Sequence, residues 1–390
     1  MKKSLVLIGL LTGCLFADSQ SLEEAFKNGK ASGDVSAYFE SRHINKGQKN
    51  TYYNNTSWAV GSIGLNYETD FYKNFKAVVG FRATAPFYEG DRNFKTYNGT
   101  GDSTERIHED DRYLISQLYL EYNAYDTVVK LGRQQMVTDW IGKINDGVRI
   151  TNNSIKNLEI DALWTRAKGR AYAKEMWGFR KLNDNDGLFS LSGKYKFENG
   201  ISTKLYGLYS NDIFSAVGGK FMYDGKVSDS LSVGTTLHYA QSNEKEKSKF
   251  RNVDDGKLFE ALAYVTHNDT TFTLGYVQTG KKAGWGSMNL DGDQIVMFEE
   301  GDVMYERDVH TYYGMLSTMI QKLSATFIYG TTQYRTMKDE TKYRQNEVSA
   351  WLSYPITNNL KALFVYDQVF KPQPGYPSLV QVSAGLTYSF

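Results

Sequence analysis

The chain has 390 residues, 45 Lys+Arg against 44 Asp+Glu for a net charge of +1, and 29 Tyr, 21 Phe and 35 Gly but only 5 Pro and 1 Cys. So balanced a charge excludes a general nucleic-acid binder, which needs a clear basic excess, and a lone Cys excludes a disulfide framework. The mean hydropathy is −0.49, and no apolar run after residue 17 approaches the ~20 residues of a membrane helix; a helical membrane protein is excluded, but not a barrel, in which only alternate residues face lipid.

The amino terminus reads Met1-Lys2-Lys3, an apolar run from Leu5 to Leu11, then Thr12-Gly13-Cys14-Leu15-Phe16-Ala17-Asp18. A basic start, a short apolar core and a small residue before Asp18 predict a secretory signal over 1–17, too short to span a bilayer. Leu11-Thr12-Gly13-Cys14 offers a rival cut, a lipoprotein box that would leave a lipidated Cys14 at the start. Cleavage after Ala17 is favoured because a closed barrel needs no lipid anchor. Residues 18–32 follow as a short periplasmic lead-in, with a helical turn or two in Ser21–Lys30, and residues 33–390 as one barrel domain.

From Gly33 the pattern has a period of two, the signature of strands with one oily and one wet face. Val35, Ala37 and Phe39 alternate with Ser36, Tyr38 and Glu40; Phe75, Ala77, Val79, Phe81 and Ala83 alternate with Lys76, Val78, Gly80, Arg82 and Thr84. Similar segments run to the carboxy terminus, where Val382, Ala384, Leu386, Tyr388 and Phe390 alternate with Gln381, Ser383, Gly385, Thr387 and Ser389. Connections between segments alternate between short turns and long charged loops at 43–57, 86–111, 166–186, 242–257, 280–309, 335–345 and 371–378. That asymmetry belongs to a transmembrane barrel with tight periplasmic turns and long external loops. Seventeen segments are evident, and an even number is needed; a short strand at Gly147–Thr151 brings the total to 18 and leaves Gln134–Asp146 as the third external loop. The fold class is therefore all-β, an antiparallel transmembrane barrel. Its last strand ends on Phe390, which resembles the closing strand of bacterial outer-membrane barrels, where such an end is read by the assembly machinery.

If the apolar set faces lipid, the opposite set lines the lumen. This turns Lys76, Arg82, Lys130, Lys194, Lys196, Lys204 and Lys220 inward, with Arg149 in the short strand. Inward acids are Glu40, Glu68, Glu121, Glu159, Asp161 and Glu260, and the third loop adds Asp139 and Asp146. A wet lumen accepts any polar residue, so single positions carry little weight. Lysines clustered on three successive strands (Lys194 and Lys196, Lys204, Lys220) carry more. Opposed basic and acidic rows would set a transverse field and select zwitterions or anions.

Several stretches resemble OprD-like outer-membrane porins, particularly those of epsilon-proteobacteria: TVVKLGRQQ from Thr127, Asn145-Asp146-Gly147-Val148-Arg149 after the third loop, and the hairpin from Gly193-Lys194-Tyr195 to Leu205-Tyr206-Gly207-Leu208-Tyr209-Ser210-Asn211-Asp212. The resemblance implies an 18-stranded barrel, often trimeric, with an inward-folded third loop. It also implies a basic ladder, here Arg82, Lys130, Arg149, Lys194, Lys204 and Lys220, with Asp139, Asp146, Glu159 and Asp161 as acidic pore-lining or constriction candidates. Arg133 shares parity with outward Leu131, which leaves its direction open. The 147–151 region lacks a Pro often seen in relatives after the loop Arg.

Other signals point to no chemistry. His43, His108, His238, His267 and His310 lie far apart and fit no zinc spacing, and no cofactor motif is present. Two acidic loops, Asp102, Glu105, Glu109, Asp110 and Asp111 in one and Asp291, Asp293, Glu299, Glu300, Asp302, Glu306 and Asp308 in the other, could hold calcium or bridge to lipopolysaccharide; a solvated acidic loop is the simpler reading. Three functions compete. A passive outer-membrane porin for small hydrophilic solutes fits best. A barrel enzyme of lipase or protease type would need a base, for which His238 is the inward candidate, and a structural or adhesive surface protein would use its long loops.

Overall fold

The computed structural model describes residues 19–46, 55–89, 112–248, 255–285, 295, 298, 302–336, 340–371 and 377–390. Among the described residues a short helix, α1 (Leu22–Lys27), precedes nineteen strands. Ser21 caps it by accepting from the Glu24 amide at 3.1 Å, and Glu23 and Glu24 occupy its positive first turn.

The strands are β1 (Lys30–Lys46), β2 (Thr56–Glu68), β3 (Phe75–Glu89), β4 (Tyr113–Ala124), β5 (Thr127–Gln135), β6 (Ile144–Asn152), β7 (Leu158–Tyr172), β8 (Glu175–Lys181), β9 (Leu188–Lys196) and β10 (Ile201–Ser210). They continue as β11 (Phe214–Lys226), β12 (Leu231–Glu244), β13 (Lys257–His267), β14 (Thr270–Thr279), β15 (Arg307–Ile320), β16 (Leu323–Arg335), β17 (Tyr343–Pro355), β18 (Leu360–Phe370) and β19 (Ser378–Ser389).

Sequential strands pair antiparallel, and β19 returns to β1 in a register running from Asp34↔Ser389 to Lys46↔Ser378. Gly33 and Phe390 exchange two backbone bonds of 2.9 and 3.0 Å at this seam. The last residue thus ties the end of the ring to its beginning. Eighteen strands close the barrel; β8 stands apart, because the first half of β7 pairs with β6 and β9 while its extension folds back on β8. Tight turns work where the sequence tolerates left-handed backbone. Between β4 and β5 both loop residues, Tyr125 and Asp126, have positive φ of 52° and 54°, the geometry that matches the twist of a two-residue hairpin.

The wall inverts the usual soluble pattern. Val35, Phe81, Leu131, Leu205, Val217, Phe272 and Phe327 are exposed on one face, while Ser36, Glu40, Glu121, Asp161, His238 and Glu260 are buried on the other. Lipid is the solvent that covers the apolar face. The largest apolar cluster lies on the inner face: Tyr206, Leu208, Phe214, Ala240, Leu258, Val277, Tyr313 and Ile328 of β10–β16 pack against Met136, Trp140 and Ile141 of the β5–β6 connection and against Trp285, Ile295, Phe298, Met304 and Tyr305 of the β14–β15 connection.

Three sequence boundaries shift. The β5–β6 ladder runs up to Gln135↔Ile144, so the expected strand Gly147–Thr151 is longer and the third loop is 136–143 rather than Gln134–Asp146. The segment 166–186, read as a loop, contains the rest of β7 and all of β8. Strand β1 begins at Lys30, three residues before the expected domain start.

Candidate functional site

Register builds a belt of charge on the inner wall. Cross-strand pairing sets Glu159 opposite Lys194, Lys194 opposite Lys204, Lys204 opposite Lys220, Lys220 opposite His238 and His238 opposite Glu260. Like charges directly opposite repel, so three adjacent lysines need a counter-charge. The β5–β6 connection supplies it: Asp139 Oδ2 lies 2.5 Å from Lys204 Nζ, and Oδ1 lies 2.7 Å from Lys220 Nζ. The three side chains are 17%, 19% and 18% exposed, so water reaches them without dissolving the bridge. Burial opposes ionisation of Asp139, but the two ammonium groups, first Lys220 and then Lys204, overcome it and hold the carboxyl down at about 2.

The next residue fixes the tip. Trp140 is buried, and its indole N–H donates to the Tyr206 hydroxyl at 2.7 Å. That hydroxyl lies 2.7 Å from His238 Nε2, and His238 Nδ1 lies 3.2 Å from Glu260 Oε2. The Tyr206 hydroxyl can donate its hydrogen bond to Nε2, leaving Nδ1–H to donate to the carboxylate, so Trp140, Tyr206, His238 and Glu260 each have a partner in this relay. The Trp140 ring also packs on Trp285, 5.5 Å between centroids. Within the loop, the Thr138 amide donates to the Ile141 carbonyl at 2.8 Å, the Ile141 amide to Thr138 Oγ1 at 3.0 Å, and Asn145 Nδ2 to the Gly142 carbonyl at 2.8 Å.

The other candidates are paired along neighbouring strands. Lys130 faces Glu121 at 3.4 Å, which also draws Lys76 at 3.8 Å; Lys76 reaches Glu68 at 3.3 Å. Arg149 donates to Asp161 at 2.7 Å, supported by Thr151 at 2.9 Å. Arg82 chelates Asp34 and donates to Ser62 at 2.8 Å. Lys194 stands opposite Glu159 and, among the described residues, has no carboxylate within ion-pairing distance.

Asp146 is corrected. It lies in β6, in register with Arg133 and on the face of Leu131 and Val148, not of Lys130 and Arg149. Arg133 binds it at 2.6 and 2.9 Å and stacks on Phe179 of β8, 3.4 Å from the ring centroid. Its charge is spent on the wall and it does not join the lysine belt.

Nothing in the sequence pattern joins Asp139 to the lysines, or Trp140 and Tyr206 to the His238–Glu260 pair. The available signal was Trp140-Ile141 itself, two large apolar residues in a polar connection, which must bury somewhere. Of the acidic loops, Asp102, Glu105, Glu109, Asp110, Asp111, Asp291, Asp293, Glu299 and Glu300 lie outside the described residues, as does His108. Among the described residues no group of three His, Cys, Asp or Glu side chains could hold a metal ion.

The family model described as Campylobacter major outer membrane protein matches residues 1–373. No curated protein matches the chain. Among solved structures, OccAB3 of Acinetobacter baumannii superposes with a TM-score of 0.76 at 14% identity, covering 93% of this chain and 99% of that one. OccK9 (OpdG) of Pseudomonas aeruginosa gives 0.75 at 10% identity, with 94% and 99% covered. OccK2 (OpdF) of Pseudomonas aeruginosa, solved in complex with glucuronate, gives 0.72 at 11% identity, with 94% and 98% covered. At these identities the likeness is one of fold, and it is the 18-strand barrel that is shared. With the family match spanning nearly its whole length and an 18-strand barrel shared with these porins, the chain belongs to the Campylobacter major outer membrane protein family and is an OprD-like porin of the outer membrane.

Proposed function

We propose that the barrel passes small hydrophilic solutes, meaning carboxylates, amino acids, short peptides and ions, by passive diffusion, and selects them by charge where loop 136–143 meets the lysine belt. The observation that carries this reading is the Asp139 bridge from that loop to Lys204 and Lys220. A solute with separated charges lowers its energy by aligning in the field of such a belt.

No chemical step is part of this function. His238, the one inward candidate base, has both ring nitrogens bonded, to Tyr206 and Glu260, and is 1% exposed; its place is structural. In the same reading residues 1–17 direct export, Phe390 addresses the chain to the assembly machinery, lipid and lipopolysaccharide surround the apolar belt, and copies associate as a homotrimer.

Planar-bilayer recording under a salt gradient, with liposome swelling in carboxylates, amino acids and neutral sugars, tests the reading. Discrete conductance steps and faster swelling with charged solutes than with sugars of equal size are expected. A purified, folded protein that conducts nothing sinks the porin reading.

A further inference from the structure

We propose that Asp139 sets the charge this pore presents to a passing ion, by masking Lys204 and Lys220, and that Tyr206 and His238 are positioning residues that hold the mask in place through Trp140. The proposal rests on the porin reading above and concerns which residue determines its selectivity.

The belt across β9, β10 and β11 carries three lysines in direct opposition. Left alone, it would offer an ion three positive charges within one Debye length, about 8–10 Å at ordinary salt. Each oxygen of Asp139 instead goes to a different lysine, and Glu159 faces the third. Counted over these five groups alone, three positive and two negative, the net charge is one positive. Glu260 makes no ion pair with the lysines, since its carboxylate is turned to His238.

A carboxylate at a loop tip masks a charge permanently only if the tip is held. Here the hold is independent of the ion pairs. Trp140 is 1% exposed, packs on Trp285 and His238, and donates to Tyr206, which is braced by His238 and Glu260. Asp139 is covalently next to this anchor, so the backbone that presents its carboxylate to the lysines stays in place while Trp140 is seated. Selectivity is then decided by one loop carboxylate that cancels part of the row, and the number of wall lysines overstates the pore's preference for anions.

The test uses the full chain, extracted as it assembles and recorded in planar bilayers under a KCl gradient, with heat-modifiable gel migration as the check of folding. D139N should move the reversal potential toward anion selectivity, and K204Q should move it toward cations. The double variant D139N/K204Q restores the net charge of the belt and should return the potential to the wild-type value. Y206F leaves every charge in place but removes the partner of both Trp140 and His238; it should shift the potential in the same direction as D139N and raise open-channel noise. A residue that only packs would alter conductance without moving the potential. An unshifted D139N potential, or a double variant that does not compensate, overturns the proposal. If D139N does not assemble, Y206F decides: a shift toward anions supports the mask and an unchanged potential overturns it. A wild-type protein without conductance overturns the porin reading and this inference with it, and is recognised before any variant is compared.

Discussion

Asp139 is a single carboxylate bound by two ammonium groups, which favour its ionised form. An unfolded Asp ionises near pH 3.9, whereas here the group is held at about 2. A depressed pKa contributes stability that is fully present above the unfolded value and is lost as pH falls through the folded one. The difference in reversal potential between the wild type and D139N should therefore be constant from neutral pH down to about pH 4 and fade toward pH 2; paired bilayer recordings at stepped pH would show it. A difference already half lost near pH 4, where an unpaired Asp titrates, would mean that Asp139 is not ionically bound. Asp146 teaches the opposite lesson about reading residues. Both acids sit close together in the sequence, yet one faces the lysine belt and the other bonds Arg133 on the outward register. Parity decides this, and parity could be assigned only once the start of β6 was known.

At the scale of elements, the β7–β8 hairpin is the addition that alternation did not reveal. Its seven-residue return strand contains Gly178 and three charged residues, too short and mixed for a clear period of two. Tertiary contacts make it a strand. Met176 and Trp177 bury against Leu114 of β4, Arg170 and Arg180 flank the Trp177 ring at 5.2 and 5.5 Å, and Lys174 at the tip lies 5.8 Å from the ring of Tyr38 on the inner register of β1. The hairpin thus reaches from β7 to strands several places away around the ring. Its removal leaves the β7–β9 ladder from Leu158↔Tyr195 to Thr165↔Leu188 untouched. Replacing residues 169–181 by a short Gly-Ser link should give a protein that still shifts on heating in gels and whose single-channel conductance is larger than wild type. Equal conductance would place the hairpin outside the ion path.

At the scale of the whole molecule, selectivity follows from how the ring distributes charge. Neutralising Lys194, Lys204 and Lys220 together should move the reversal potential toward cations, because Asp139 and Glu159 then stand uncompensated on that wall; an unchanged potential would show that ions pass elsewhere in the lumen. The strand count, the short turns and the closing role of Leu379–Phe390 were legible in the amino-acid order. A period of two between lipid and water is imposed locally, residue by residue, and needs no knowledge of partners. What the order alone left undecided is which charges meet. The bridge from Asp139 to Lys204 and Lys220 spans 65 and 81 positions of the sequence, and the chain from Trp140 through Tyr206 and His238 to Glu260 spans 120. Only closure of the barrel and the seating of a connection on its inner wall bring these groups within bonding distance. For that reason the row of lysines could be read from the sequence, while the carboxylate that cancels part of it was fixed by the tertiary structure.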